Sequence, residues 1–203
     1  MSITLHKHDI PKGLDWGKSV AIDTEAMGLN PHRDRLCLVQ LSTGDGKAHL
    51  VQFEKDNYNA PHLKALLADT KIEKIFHYAR FDVALLHHYL GVETKPIWCT
   101  KIASRIARSY TDKHGLRDLC RELVNIDLSK QQQSSDWGAA ELTKAQCQYA
   151  ASDVLHLHKL QAILQAMLKR ENRLQLAEAC FTFIGWRAKL DLRGWAEQDI
   201  FAH

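Results

Sequence analysis

The chain has 203 residues, 45% of them hydrophobic and 25% charged, a balance ordinary for a globular protein and against a disordered one. At 23.2 kDa it can build one sizeable core, and no stretch is long enough to span a bilayer, which excludes a membrane-embedded role. The net charge of +3 permits a nucleic-acid partner without requiring one.

In chain order, Met1 to Lys7 lacks the apolar centre of a signal peptide, and Gly13 to Gly17 reads as a loop. Val20-Ala21-Ile22-Asp23-Thr24-Glu25 follows, an apolar run expected to be a central strand covered on both faces. Met27 to His32 carries the Gly, Asn and Pro of a turn. Strands are expected over 35–42 and 47–53, joined at Gly44-Asp45-Gly46 as a hairpin, so the sheet opens as an antiparallel meander. A short helix over 61–68, a strand over 74–76 and a helix over 79–90 closed by Gly91 come next. After Pro96, a brief strand over 97–99 leads to Thr100, the expected N-cap of a helix over 101–109. Another helix runs over 116–124, and Ser129 to Trp137 is a polar loop. Thr143-x-x-Gln146 is a capping box opening a long helix through Leu168, followed by a further helix and an aromatic tail from about residue 171. Strands early and helices late, without repeats, indicate a single α/β domain over 1–203.

The five cysteines (Cys37, Cys99, Cys120, Cys147, Cys180) form no C-x-x-C pair, so no zinc site or disulfide framework is expected and a reducing cytoplasm fits. The histidines, His87-His88 and His156-x-His158 among them, read as helix-surface residues.

Acidic residues carry the chemistry. Asp23 and Glu25 alternate along a strand and so project from one side. Two like charges at a buried strand end repel unless a cation lies between them, and hard divalent ions take oxygen ligands. The plainer reading is a strand that ends in solvent. Asp82 lies one turn into the helix after the fourth strand, where the helix dipole alone would favour it, and Asp153 lies within an apolar stretch with Tyr149 one turn earlier. Four acids on separated elements, with that tyrosine, are a much rarer coincidence than any one alone.

Asp23-x-Glu25, Phe81-Asp82 and Tyr149-x-x-x-Asp153 resemble the three motifs of the DEDDy 3′→5′ exonucleases in the RNase D branch. Phe76 to Asp82 and Gln148 to Val154 fit that branch in their surroundings, with His77 a departure from many members. Pro31 to Cys37, Cys99 to Ser104, Ser129 to Trp137 and the ending Asp199 to His203 are similar to the compact nano-RNase C family. RNase D proper continues into helical nucleic-acid-binding domains, for which this chain has no room.

The resemblance implies an RNase H-like (DnaQ-like) fold with a mixed central sheet flanked by helices. It also implies hydrolysis of oligoribonucleotides, dinucleotides especially, to nucleoside 5′-monophosphates. Asp23, Glu25, Asp82 and Asp153 would hold two divalent cations, Mg2+ or Mn2+, and Tyr149 would orient the attacking water. Leu29 could wedge against bases or simply pack in its turn. Lys101, Arg105 and Arg108, at i, i+4 and i+7, form a basic stripe that meets phosphate or is only a solvated face. Lys130, Gln133, Ser134 and Ser135 could cap a terminal 5′-phosphate, and His77 is a further candidate contact. The tail aromatics Phe181, Phe183, Trp186, Trp195 and Phe201 would dock on the domain or build a subunit interface. The family implies a homo-oligomer, a ring-shaped octamer.

Overall fold

A computed structural model describes residues 2–129 and 131–203. Its strands are β1 (Ser2–Lys7), β2 (Ser19–Ala26), β3 (Leu36–Ser42), β4 (Lys47–Gln52), β5 (Glu73–Phe76) and β6 (Ile97–Cys99). They make one sheet in the order β1-β4-β3-β2-β5-β6. β2, β3 and β4 are the expected antiparallel meander, while β1 joins β4, and β5 joins β2 and β6, in parallel. The sheet is mixed and its helices are α1 (Pro61–Ala68), α2 (Ala79–Leu90), α3 (Thr100–Ala107), α4 (Leu116–Val124), α5 (Lys144–Leu155), α6 (Leu157–Arg170) and α7 (Leu174–Leu190).

Val20, Ala21 and Ile22 are wholly buried, as a strand covered on both faces requires. One core forms where α1, α2, α3, α6 and α7 pack on one another and on the sheet. A smaller one gathers Leu38 and Leu50 of the sheet with Trp137 and Ala150 of α5. Gly44 and Gly46 turn the β3–β4 hairpin with φ of 80° and 84°, positions that favour glycine, and Ser42 Oγ donates to Lys47 O at 2.7 Å across it. No helix among the described residues is long and apolar enough to cross a membrane.

β1 carries no sequence expectation, because Thr4, His6 and Lys7 dilute the apolar signal of an edge strand that stays largely exposed. Two expectations are corrected. Thr100 is not an N-cap: its hydroxyl donates to Phe76 O (3.1 Å), fastening α3 to the end of β5. The long helix is two, broken at His156 (φ −107°, ψ −6°). His158, beyond that break, packs beneath the hairpin, where a Cβ on Gly44 would stand 2.9 Å from its ring, so it is no simple surface residue.

Candidate active site

β2 carries its acids to an end of the sheet where both faces meet helices. Asp23 and Glu25 lie opposite Gln40 and Leu38 of β3, and directly opposed residues share a face. The pairing shifts register between Glu25 and Ala26, a bulge that ends the ladder next to the acids. Asp153 comes from α5, and carboxylate oxygens of Asp23, Glu25 and Asp153 lie within 4.8 Å of one another. Thr24 faces the other way. Its hydroxyl donates to Asp82 Oδ1 at 2.6 Å, so α2's acid is tied to the same strand from behind. Asp82 is buried and the other three acids are half-buried, which leaves the cluster a mouth toward solvent.

Desolvation dominates the electrostatics. Burial pushes the Asp23 carboxyl up to about 7, and burial followed by the charges of Asp23, Asp153 and Asp82 pushes Glu25 up to about 10. Asp82 and Asp153 are raised in the same way, by burial first and then by Asp23. Four acids that resist ionisation together form a site that a divalent cation would relieve. The donor set is all oxygen and suits Mg2+ or Mn2+.

Tyr149 lies on α5 one turn before Asp153, half-buried, with its hydroxyl pushed above its usual value by burial and then by Asp153. The phenol therefore stays protonated. Trp137 packs beside it, ring centroids 6.0 Å apart, and joins Tyr149 to the loop before α5. That loop is pinned at its end nearest α5. Gln146 of the capping box donates to Ser135 Oγ (3.2 Å) and Asp136 O (3.0 Å), and Arg35 donates to Gly138 O (3.1 Å) and Phe53 O (3.1 Å). Gln133 and Ser134 are exposed, whereas Ser135 is half-buried and engaged by Gln146; Lys130 lies outside the described residues.

Leu29 is 84% exposed in the turn after β2, so it is not packed into that turn. The turn is held by Asp34, which accepts from the Asn30 amide (2.9 Å), and Gly28 is needed there because a Cβ would stand 2.3 Å from the Asp34 carboxylate. His77 Nδ1 lies 2.8 Å from Thr100 Oγ1. Since the Thr100 proton goes to Phe76 O, His77 Nδ1 donates and Nε2 is left as an acceptor. Burial, then Lys101, holds this imidazole down to about 3, so it is neutral. Lys101 stands over the Tyr78 ring at 4.1 Å from its centroid.

The basic stripe is corrected at Arg108. Arg105 is exposed, but α3 stops at Ala107 and Arg108 turns inward, only 2% exposed, to pair with Glu122 and donate to Lys113 O (3.0 Å). The tail divides. Phe181 is buried against Trp98, centroids 5.1 Å apart, while Trp186 and Phe201 are exposed. Asp191, just after α7, takes a fork of hydrogen bonds from Arg80 (2.5 and 2.8 Å), docking the tail against the start of α2. Thr24, Trp137 and Gln146 were not singled out as site residues. A hydroxyl between the two acids was a usable signal for Thr24; the roles of Trp137 and Gln146 depend on tertiary packing.

A family model described as 3′-5′ exonuclease matches residues 7–169. The chain is 34% identical over 155 residues to ribonuclease D of Gluconacetobacter diazotrophicus, covering 76% of this chain and 39% of that protein. It thus spans about two fifths of the length of the curated relatives it matches. Among solved structures, Brucella melitensis NrnC with bound Mg2+ is 53% identical with a TM-score of 0.96, each chain covered in full. The same protein bound to pGG is 54% identical with a TM-score of 0.97, covering 100% of this chain and 99% of that one. Escherichia coli RNase D, an exoribonuclease involved in structured RNA processing, is 26% identical with a TM-score of 0.74 over 85% of this chain and 45% of its own. The acid-bearing end of the sheet, the match to residues 7–169 and the full-length likeness to NrnC agree: the chain belongs to the 3′-5′ exonuclease family, in its RNase D branch and of the NrnC type.

Proposed function

We propose that the chain is a metal-dependent 3′→5′ exoribonuclease that hydrolyses very short RNA, dinucleotides above all, to nucleoside 5′-monophosphates. The observation that carries this reading is the meeting of Asp23, Glu25 and Asp153 within 4.8 Å, with Asp82 tied behind them through Thr24. These four acids would hold two divalent cations, Mg2+ or Mn2+. When bound, such ions lower the pKa of water and neutralise charge on the leaving oxygen. The chain's own residues supply the rest. Tyr149, whose hydroxyl burial pushes above its usual value, would aim the water by a hydrogen bond rather than take its proton. Hydrolysis joins the water oxygen to phosphorus, breaks the P–O3′ bond and leaves a proton on the 3′-oxygen.

Leu29, exposed in the turn after β2, would wedge against the bases, and Lys130, Gln133, Ser134 and Ser135 would cap a terminal 5′-phosphate and so measure substrate length. Lys101 and Arg105 are the cations of α3 for phosphate oxygens, and neutral His77 is an acceptor rather than a clamp. The likeness to an NrnC solved with pGG supports a short ligand. The exposed Trp186, Trp195 and Phe201 suit a contact between copies in a homo-oligomer, a ring-shaped octamer, acting in the cytoplasm.

The test compares cleavage of 5′-phosphorylated two-mers, seven-mers and a long RNA in Mg2+ or Mn2+. The two-mer should be cleaved fastest. Equal or faster cleavage of the long RNA would favour trimming of RNA ends in the manner of RNase D. Failure to release nucleotide from any of them would leave only a binding module.

A further inference from the structure

We propose that Gln40 is the positioning residue of the acid cluster: after a rotamer change its side-chain amide would hydrogen bond and fix the Asp23 carboxylate when the acids hold a cation. The inference rests on the exonuclease reading above. Gln40 sits in the middle of β3, and none of its surface is exposed. Neither its Nε2 nor its Oε1 has a hydrogen-bond partner among the described residues. A buried amide with both ends unpaired destabilises the fold, and β3 is otherwise filled by Leu36, Leu38, Val39 and Leu41. A leucine at position 40 would suit that strand better unless the amide had work to do.

Register identifies that work. Gln40 is paired directly with Asp23 on one side and with Leu50 on the other. Along its own face its neighbours in β3 are Leu38, which is apolar, and Ser42, whose hydroxyl already donates to Lys47 O. Asp23 is thus the polar group that the ladder holds nearest. Cβ atoms of opposed residues stand about 4.5–5.5 Å apart, within reach of a rotamer change in an amide facing a carboxylate. Carboxylates that ligate metals are themselves held by hydrogen bonds, and removing such a partner commonly lowers metal affinity 10- to 100-fold.

The experiment measures Mn2+ binding by calorimetry, without RNA, to the wild type, Gln40→Leu, Gln40→Met and Asp153→Asn, with thermal melts of each in EDTA. Both Gln40 variants should bind Mn2+ about 10- to 100-fold more weakly while melting, metal-free, at or above the wild-type temperature. A purely structural amide would do the reverse, lowering the melting temperature and sparing affinity. Mn2+ affinity within about twofold of wild type in whichever Gln40 variant folds would overturn the proposal. If the wild type binds Mn2+ and Asp153→Asn does not, that failure touches Gln40 alone. If the wild type binds no Mn2+, the exonuclease reading fails and takes this inference with it.

Discussion

Two charge patterns stand side by side in this molecule, and they fold in opposite ways. The acids Asp23, Glu25 and Asp153 lie on β2 and α5, yet they converge with like charges facing each other, and Asp82 of α2 is tied to the same strand through Thr24. The bases Lys101, Arg105 and Arg108 occur within eight residues, yet they part company, because α3 ends at Ala107 and Arg108 turns inward to pair with the partly exposed Glu122. Helical spacing places side chains on one face only as far as the helix runs. An isolated cation near a carboxylate neutralises itself. Like charges brought together against desolvation have no such outlet within the cluster, which is why the acids speak of an external cation and the bases do not.

This contrast can be broken at several points, in descending size of effect. Asp153→Asn should lower single-turnover cleavage of a 5′-phosphorylated dinucleotide by on the order of 10³-fold or more. The same variant should melt at a higher temperature than wild type in EDTA, because one repelling carboxylate is gone; a lower temperature would mean that the cluster is not strained. Tyr149→Phe should reduce kcat by about 10- to 100-fold with little change in Mn2+ affinity, as expected of a group that aims water rather than holding metal.

The pH dependence follows from raised carboxyl values. Asp23 ionises near 4 when unfolded and at about 7 when folded, so the stability it lends the metal-free protein is greatest at low pH and is lost as pH rises through about 7. Glu25 extends the loss toward about 10. Metal binding must displace those protons, so apparent Mn2+ affinity should rise with pH between 6 and 8, by roughly tenfold per unit for each proton released. Calorimetry in two buffers of different ionisation enthalpy counts them. An affinity flat with pH would show that the acids are already ionised.

Smaller effects belong to the bases. Arg108→Ala should destabilise the fold by about 2 kcal/mol in denaturant melts, since the partly exposed Glu122 loses its buried partner. Arg105→Ala should change stability by less than about 0.5 kcal/mol, with only a raised KM for RNA. Equal destabilisation by the two would restore the continuous stripe.

How far the sequence could be read follows the same physics. Helices α1, α2 and α4 and strand β6 begin and end where turn residues and apolar spacing place them, because those signals are local. Asp23 and Glu25 were legible through strand alternation, and Asp82, Tyr149 and Asp153 through their motifs. β1 was not, since an edge strand needs little apolar patterning. Nor was Arg108's inward turn, which depends on where α3 ends and on Glu122, fourteen residues further on. Thr24's tie to Asp82 and Gln40's place across from Asp23 are products of register and packing, to which residue type alone gives no key.

The account's central claim is that these acids form one cation-holding centre, and a Mn2+ titration followed by electron paramagnetic resonance tests it most directly. Wild-type protein at pH 8 should remove two Mn2+ per chain from the free signal, and Asp153→Asn should lose at least one of them. Protein that leaves the free Mn2+ signal undiminished, or a variant that binds as many ions as the wild type, would contradict it.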